Sequence, residues 1–127
     1  MPKQEINEFA KILVQKVRDS AIKGCDMNLR TDVQHLISRR WKEVGANGDL
    51  ESIASVLIPD IVDETIFYLL RAIDDGLLPM SFIGSNAKKV DLSKDGLGEL
   101  SGWYMGSDGW RTMYSQERFV DDSSDPS

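Results

Sequence analysis

Residue types able to do acid–base or nucleophilic chemistry occur in three short runs. Asp32, His35 and Ser38 follow one another at three-residue spacing in TDVQHLISRRWKEVG. On a helix such positions share a side but drift around it, so the mutual orientation of a catalytic triad is not expected. An acid favoured by the helix dipole, followed by exposed polar residues, accounts for all three. Asp60, Asp63 and Glu64 sit where a helix start is expected, and an N-cap with an acidic first turn explains them. Asp74 and Asp75 are different. They stand at a helix C-terminal end, where the dipole disfavours anions, and Gly76 accounts for the stop but not for two acids beside it. These two are expected to meet a basic partner. No catalytic residue is assigned.

Metal chemistry has one motif to offer. In DLSKDGLGE (91–99), Asp91, Ser93, Asp95 and Gly96 occupy positions one, three, five and six of an EF-hand-like calcium loop, with Glu99 at nine. The twelfth position, which should supply a bidentate carboxylate, is Gly102, and the flanks read as strands. The stretch is therefore expected to be an acidic β-turn without metal. One His and one Cys are too few for a zinc site. GSDG and DGLG lack the strand-before, helix-after setting of a phosphate loop, so no cofactor is expected. SRRWK (38–42) joins basic residues to an aromatic, but Trp41 falls on the apolar stripe of Ile37 and Val44, and nucleic acid is not expected as a partner.

The other concentration of special residues is GELSGWYMGSDGWRTMYS (98–115), with two tryptophans, two tyrosines and two methionines. Read as a hairpin turning at MGSDG, it alternates large side chains onto both faces. One face must cover helices, because a lone hairpin is not independently stable. The other would display a ring from Trp103, Tyr104, Trp110 or Tyr114 beside Asp108 at the turn, a combination typical of protein interfaces.

These residues need elements to hold them. Ile6, Phe9, Ala10, Leu13, Val14, Val17 and Ala21 recur at helical spacing, predicting a helix over 3–23 that Gly24 stops. Thr31 and Gln34 have capping-box spacing for a second helix, lined by Val33, Leu36, Ile37, Trp41 and Val44 and ended by Gly45. Asp49 can cap a short helix through Leu57. Pro59 then predicts a break, with a new helix from Asp60 that is apolar nearly all round and expected to be the most buried. From Leu77 the segments MSFIG, KKVDL, GELSGWYM and WRTMYS read as strands separated by turn residues, SQERF as a closing helical turn, and 121–127 as a flexible acidic tail. Helices followed by antiparallel strands give an α+β domain over 1–120, with three to four N-terminal helices on a sheet of three to four strands.

Charge completes the picture. The net charge is −6, with nine Lys/Arg against six Asp/Glu over 1–48 and six against fifteen over 49–127. An acidic C-terminal half repels phosphate backbones and attracts basic partners at modest salt. A single cysteine and no long uncharged apolar run lead to the expectation of a cytoplasmic protein without a membrane span. The combined expectation is a small acidic non-enzymatic interaction module, an immunity-like inhibitor or an adaptor, that meets a basic protein through the aromatic segment. The alternative is an enzyme using carboxylates in a cleft between helices and sheet.

Overall fold

The computed structural model describes residues 3–30, 36–46 and 48–119. The chain opens with a rod of three consecutive helical pieces: α1 (Lys3–Ile12), a π-helical turn (Leu13–Arg18) and α2 (Asp19–Asn28). Gly24 does not stop it. The π turn fits one extra residue into the helix, and the inward stripe shifts accordingly. Ile6, Ala10, Leu13 and Val14 are buried as their spacing predicts, but Val17 is 50% exposed and Ala21 is exposed. Arg18 and Ile22, each one residue later, are fully buried in their place.

After α3 (Leu36–Val44), the helix α4 (Leu50–Asp74) runs 25 residues without a break. Asp49 caps it, its carboxylate accepting from the Ser52 amide at 3.3 Å. Pro59 lies inside the helix, where a break was expected. A proline leaves the carbonyl four residues earlier without its helical donor. That carbonyl belongs to Ser55, and the Arg118 Nε donates to it at 2.8 Å. The part from Asp60, expected to be the most buried helix, also turns apolar side chains outward. Ala54, Ile58, Asp63, Ile66, Leu70 and Ile73 face inward, while Ile53, Val56, Leu57, Ile61, Tyr68 and Leu69 lie outward and exposed.

The class is α+β, but the sheet among the described residues has two strands, not three or four. β1 (Ser81–Ile83) pairs antiparallel with β2 (Lys89–Asp91), Phe82 opposite Val90. The 84–88 turn rests on α1: Glu8 accepts from the Ser85 amide at 2.9 Å, and Glu5 from the Asn86 side-chain amide at 2.9 Å. The Asn86 bond holds the Glu5 carboxyl below its ordinary pKa. Beyond β2 come three short helices, α5 (Leu92–Asp95), α6 (Leu100–Met105) and α7 (Trp110–Tyr114). The hairpin expected over 98–115 is therefore two helices joined by a tight corner, and SQERF forms no helix. A Cβ at Gly109 would run into the Trp103 carbonyl, so this corner requires glycine.

The main core joins α1 and the π turn (Ile6, Ala10, Leu13, Val14) to α4 (Ile66, Leu70, Ile73), to Val90 and Leu92, and to Leu100, Tyr104 and Trp110. A smaller cluster of Ile22, Ala54 and Ile58 packs against Cys25, Leu29 and Trp41. Among the described residues no helix is long and apolar enough to cross a membrane. Thr31, Asp32, Val33, Gln34, His35 and the 121–127 tail lie outside the described residues.

Candidate functional site

The aromatic segment is positioned by one buried carboxylate. Asp63 accepts from Arg18 Nε at 2.8 Å, from Arg111 Nη1 at 2.9 Å and from the Tyr104 hydroxyl at 2.6 Å. All four side chains are essentially excluded from water. A carboxylate removed from water is tolerated only when paired and hydrogen-bonded, and two guanidiniums with a phenol meet that need. Arg18 uses its remaining donors on Asp19 (2.7 Å), Ser115 Oγ (2.8 Å) and the Arg118 carbonyl (2.6 Å). Burial works against the Arg18 charge, yet its bonds to Asp63 and Asp19 hold its pKa above the usual arginine value. Burial, and then the Asp63 hydrogen bond and charge, push the Tyr104 phenol far above its ordinary range. The Phe119 ring closes over this centre, 4.6 Å from the Arg111 guanidinium carbon and 5.7 Å from that of Arg18.

Asp63 thereby ties down both short helices, α6 through Tyr104 and α7 through Arg111. Asp74 fixes the start of α6: its two oxygens accept from the Leu100 and Ser101 amides, each at 2.9 Å, and from the Ser101 hydroxyl at 2.8 Å. This accounts for an acid at the C-terminal end of α4, because it serves the N-terminus of another helix. Asp75 makes an exposed pair with Arg71 at 3.4 Å.

Trp103 precedes Tyr104 and Trp110 precedes Arg111, so the tethered helices carry the two indoles to one place. Their ring centres are 6.3 Å apart, tilted by 48°. With Ile6, Asn7, Lys3 and Asp95 they line a slot of about 290 Å³. Trp110 is 4% exposed and further backed by Phe9 at 6.2 Å, while Trp103 is half-buried. Aromatic walls with a few polar groups at the rim are the common makeup of a binding site. Lys3, Asn7 and Asp95 are the polar residues of its lining.

The remaining residues singled out from sequence lie elsewhere. Tyr104 is fully buried and belongs to the core. Tyr114 is half-buried, its carbonyl accepting from Gln15 Nε2 at 3.1 Å. Asp108 is exposed in the α6–α7 corner. Asp91 caps α5 through the Ser93 and Lys94 amides at 3.0 and 3.2 Å, and Asp95 accepts from the Asp91 amide at 2.8 Å. The calcium-like spacing is thus a capped helical turn rather than the expected β-turn. Among the described residues no group of three or more His, Cys, Asp or Glu is placed to hold a metal ion.

Sequence reasoning missed Arg18, Arg111 and Arg118 as organisers and Asp95 as a slot residue. The Asp63 partners lie 41–48 positions away in the chain, a separation at which spacing carries no signal.

A second concavity, about 330 Å³ and almost wholly apolar, lies between α2, α3 and α4, lined by Cys25, Leu29, Trp41, Leu50, Ile53, Leu57 and Ile61 among others. Burial, with the Asp26 charge, pushes the Cys25 thiol up, away from the reactive thiolate.

Comparison with protein families, with curated proteins and with solved structures finds no significant match for this chain.

Proposed function

We propose that the protein is a small acidic interaction module that seats a basic side chain of a protein partner in the Trp103–Trp110 slot. The observation that carries this reading is two indoles sharing a slot of about 290 Å³ with the Asp95 carboxylate. A guanidinium or ammonium against an indole face gains about 0.5–2 kcal/mol, more as water is excluded, and a carboxylate in the lining would fix its orientation. The net charge of −6 would speed encounter with a basic partner. An adaptor or an inhibitor-type protein fits this reading. It departs from the sequence-based expectation in using the indoles as walls of a slot rather than as displayed rings.

Titration with a short arginine-rich peptide, followed by tryptophan fluorescence and calorimetry, tests it. Saturable binding that weakens with salt is expected, with an oligoglutamate control silent. Trp103→Ala should cost about 2 kcal/mol or more of binding. Failure of the basic peptide to bind, or binding indifferent to both Trp103→Ala and Asp95→Asn, would sink the proposal.

A further inference from the structure

The outward side of α4 is unlike the rest of the surface. Ile53, Leu57 and Ile61 form an uncharged crest at four-residue spacing, between 48% and 60% exposed, continued along the helix by Tyr68 and Leu69. Beside the crest runs the apolar groove floored by Ile58 and walled by Leu29 and Trp41. Crest and groove adjoin on one face.

We infer that this face joins two copies of the chain, with the α4 helices antiparallel about a two-fold axis and the crest of each copy in the groove of the other. The first argument is area. Five exposed apolar side chains on this side of α4 (Ile53, Leu57, Ile61, Tyr68 and Leu69), at on the order of 100 Å² each, together with the half-buried groove walls, offer roughly 600–700 Å² per copy. That exceeds the roughly 300–600 Å² of a typical monomer's largest apolar patch and matches what each partner gives to a stable interface.

The second argument is self-complementarity. A two-fold contact requires the same patch to supply both the projecting and the receiving shape, and a ridge lying beside a groove does so. Placing Leu57 opposite Ile61 of the other copy puts apolar side chains at the centre, while the two Asp60 residues at its edge come within about 3 Å along the axis, a like-charge approach that salt screens. The same register keeps the two Glu64 residues about 15 Å apart along the axis.

The charge of −6 on each copy opposes their approach. Salt therefore tightens this association, whereas it weakens the capture of a basic side chain in the indole slot. The two readings are separable by that sign alone.

Sedimentation equilibrium over a concentration series, at low and high salt, provides the test. A dimer strengthened by salt is expected. Leu57→Glu and Ile61→Glu should each weaken it at least tenfold while leaving circular dichroism and melting temperature near the parent values, because both side chains face solvent in the single chain. A chain that stays monomeric up to its solubility limit overturns the inference, and so does a dimer that survives both substitutions. A monomer whose crest instead takes up an amphipathic helical peptide overturns it as well. Trp103→Ala, outside this face, should leave the dimer unchanged.

Discussion

Arg118 Nε donates to the carbonyl of Ser55, the acceptor that Pro59 deprives of its helical donor. The same guanidinium reaches Asp26 on α2 through two bonds of 2.8 and 2.9 Å. One side chain near the end of the described chain thus repairs a gap in α4 and fastens α4 to α2. Arg118→Ala should cost about 1–3 kcal/mol in denaturant unfolding. In a Pro59→Ala background, residue 59 regains an amide for Ser55, so the same Arg118→Ala change should cost less. Equal costs in the two backgrounds would show that the Ser55 contact contributes nothing.

Asp63 balances two buried guanidiniums. Asp63→Asn leaves Arg111 without a counter-charge and Arg18 with Asp19 alone, and should destabilise by about 3–5 kcal/mol, read from the shift in denaturant midpoint. Asp75→Asn, which breaks only an exposed pair, should stay within about 0.5 kcal/mol of the parent.

Tyr104 gives the fold an alkaline limit. Its pKa in the folded chain lies above the ordinary phenol value near 10, so above that pH the unfolded chain releases a proton that the folded chain retains. This contribution is fully present below pH about 10 and declines as pH rises further. Tyr104→Phe should lower stability at neutral pH by about 1–3 kcal/mol, through loss of a charge-assisted bond. It should also fall less steeply above pH 10. Parallel stability–pH curves for the two proteins would refute the assignment.

Lys3 lines the indole slot together with Asp95. Its charge opposes an incoming cation, so Lys3→Gln should tighten binding of the arginine-rich peptide a few-fold, and Asp95→Asn should loosen it. Calorimetry at fixed ionic strength distinguishes the two directions. Tighter binding by Asp95→Asn would mean that the slot favours an anion.

The sequence shows the rod as far as Gly24, the existence of α3, the Asp49 cap and the strands β1 and β2 through their periodicity and turn residues. It misleads over 98–115 for a physical reason. Leu100 and Tyr104 are four residues apart, and so are Trp110 and Tyr114. At that interval a strand and a helix both return to the same face. Segments of six and five residues are too short for the two periods to separate, and their aromatic content favours the strand reading. The indole slot shares that ambiguity, since its shape depends on the helical corner between Trp103 and Trp110. Pro59 misleads because its repair comes from Arg118, 59 residues onward. Arg18 escaped notice because the inward stripe advances by one residue across Leu13–Arg18.

That advance makes the rod a phase-setting device. Each residue of an α-helix turns the chain by about 100°, so a deletion elsewhere in the rod would rotate every later side chain away from its neighbours. Within the π turn the loss of one exposed residue, Lys16 for instance, would return the backbone to ordinary α-helix with Arg18, Ile22 and Cys25 still pointing as they do now. In this stretch the chain carries one residue more than its length of helix needs. Keeping that residue leaves the ionic centre in phase with the apolar core before it, and the rod can change length by one residue here without turning its interior outward.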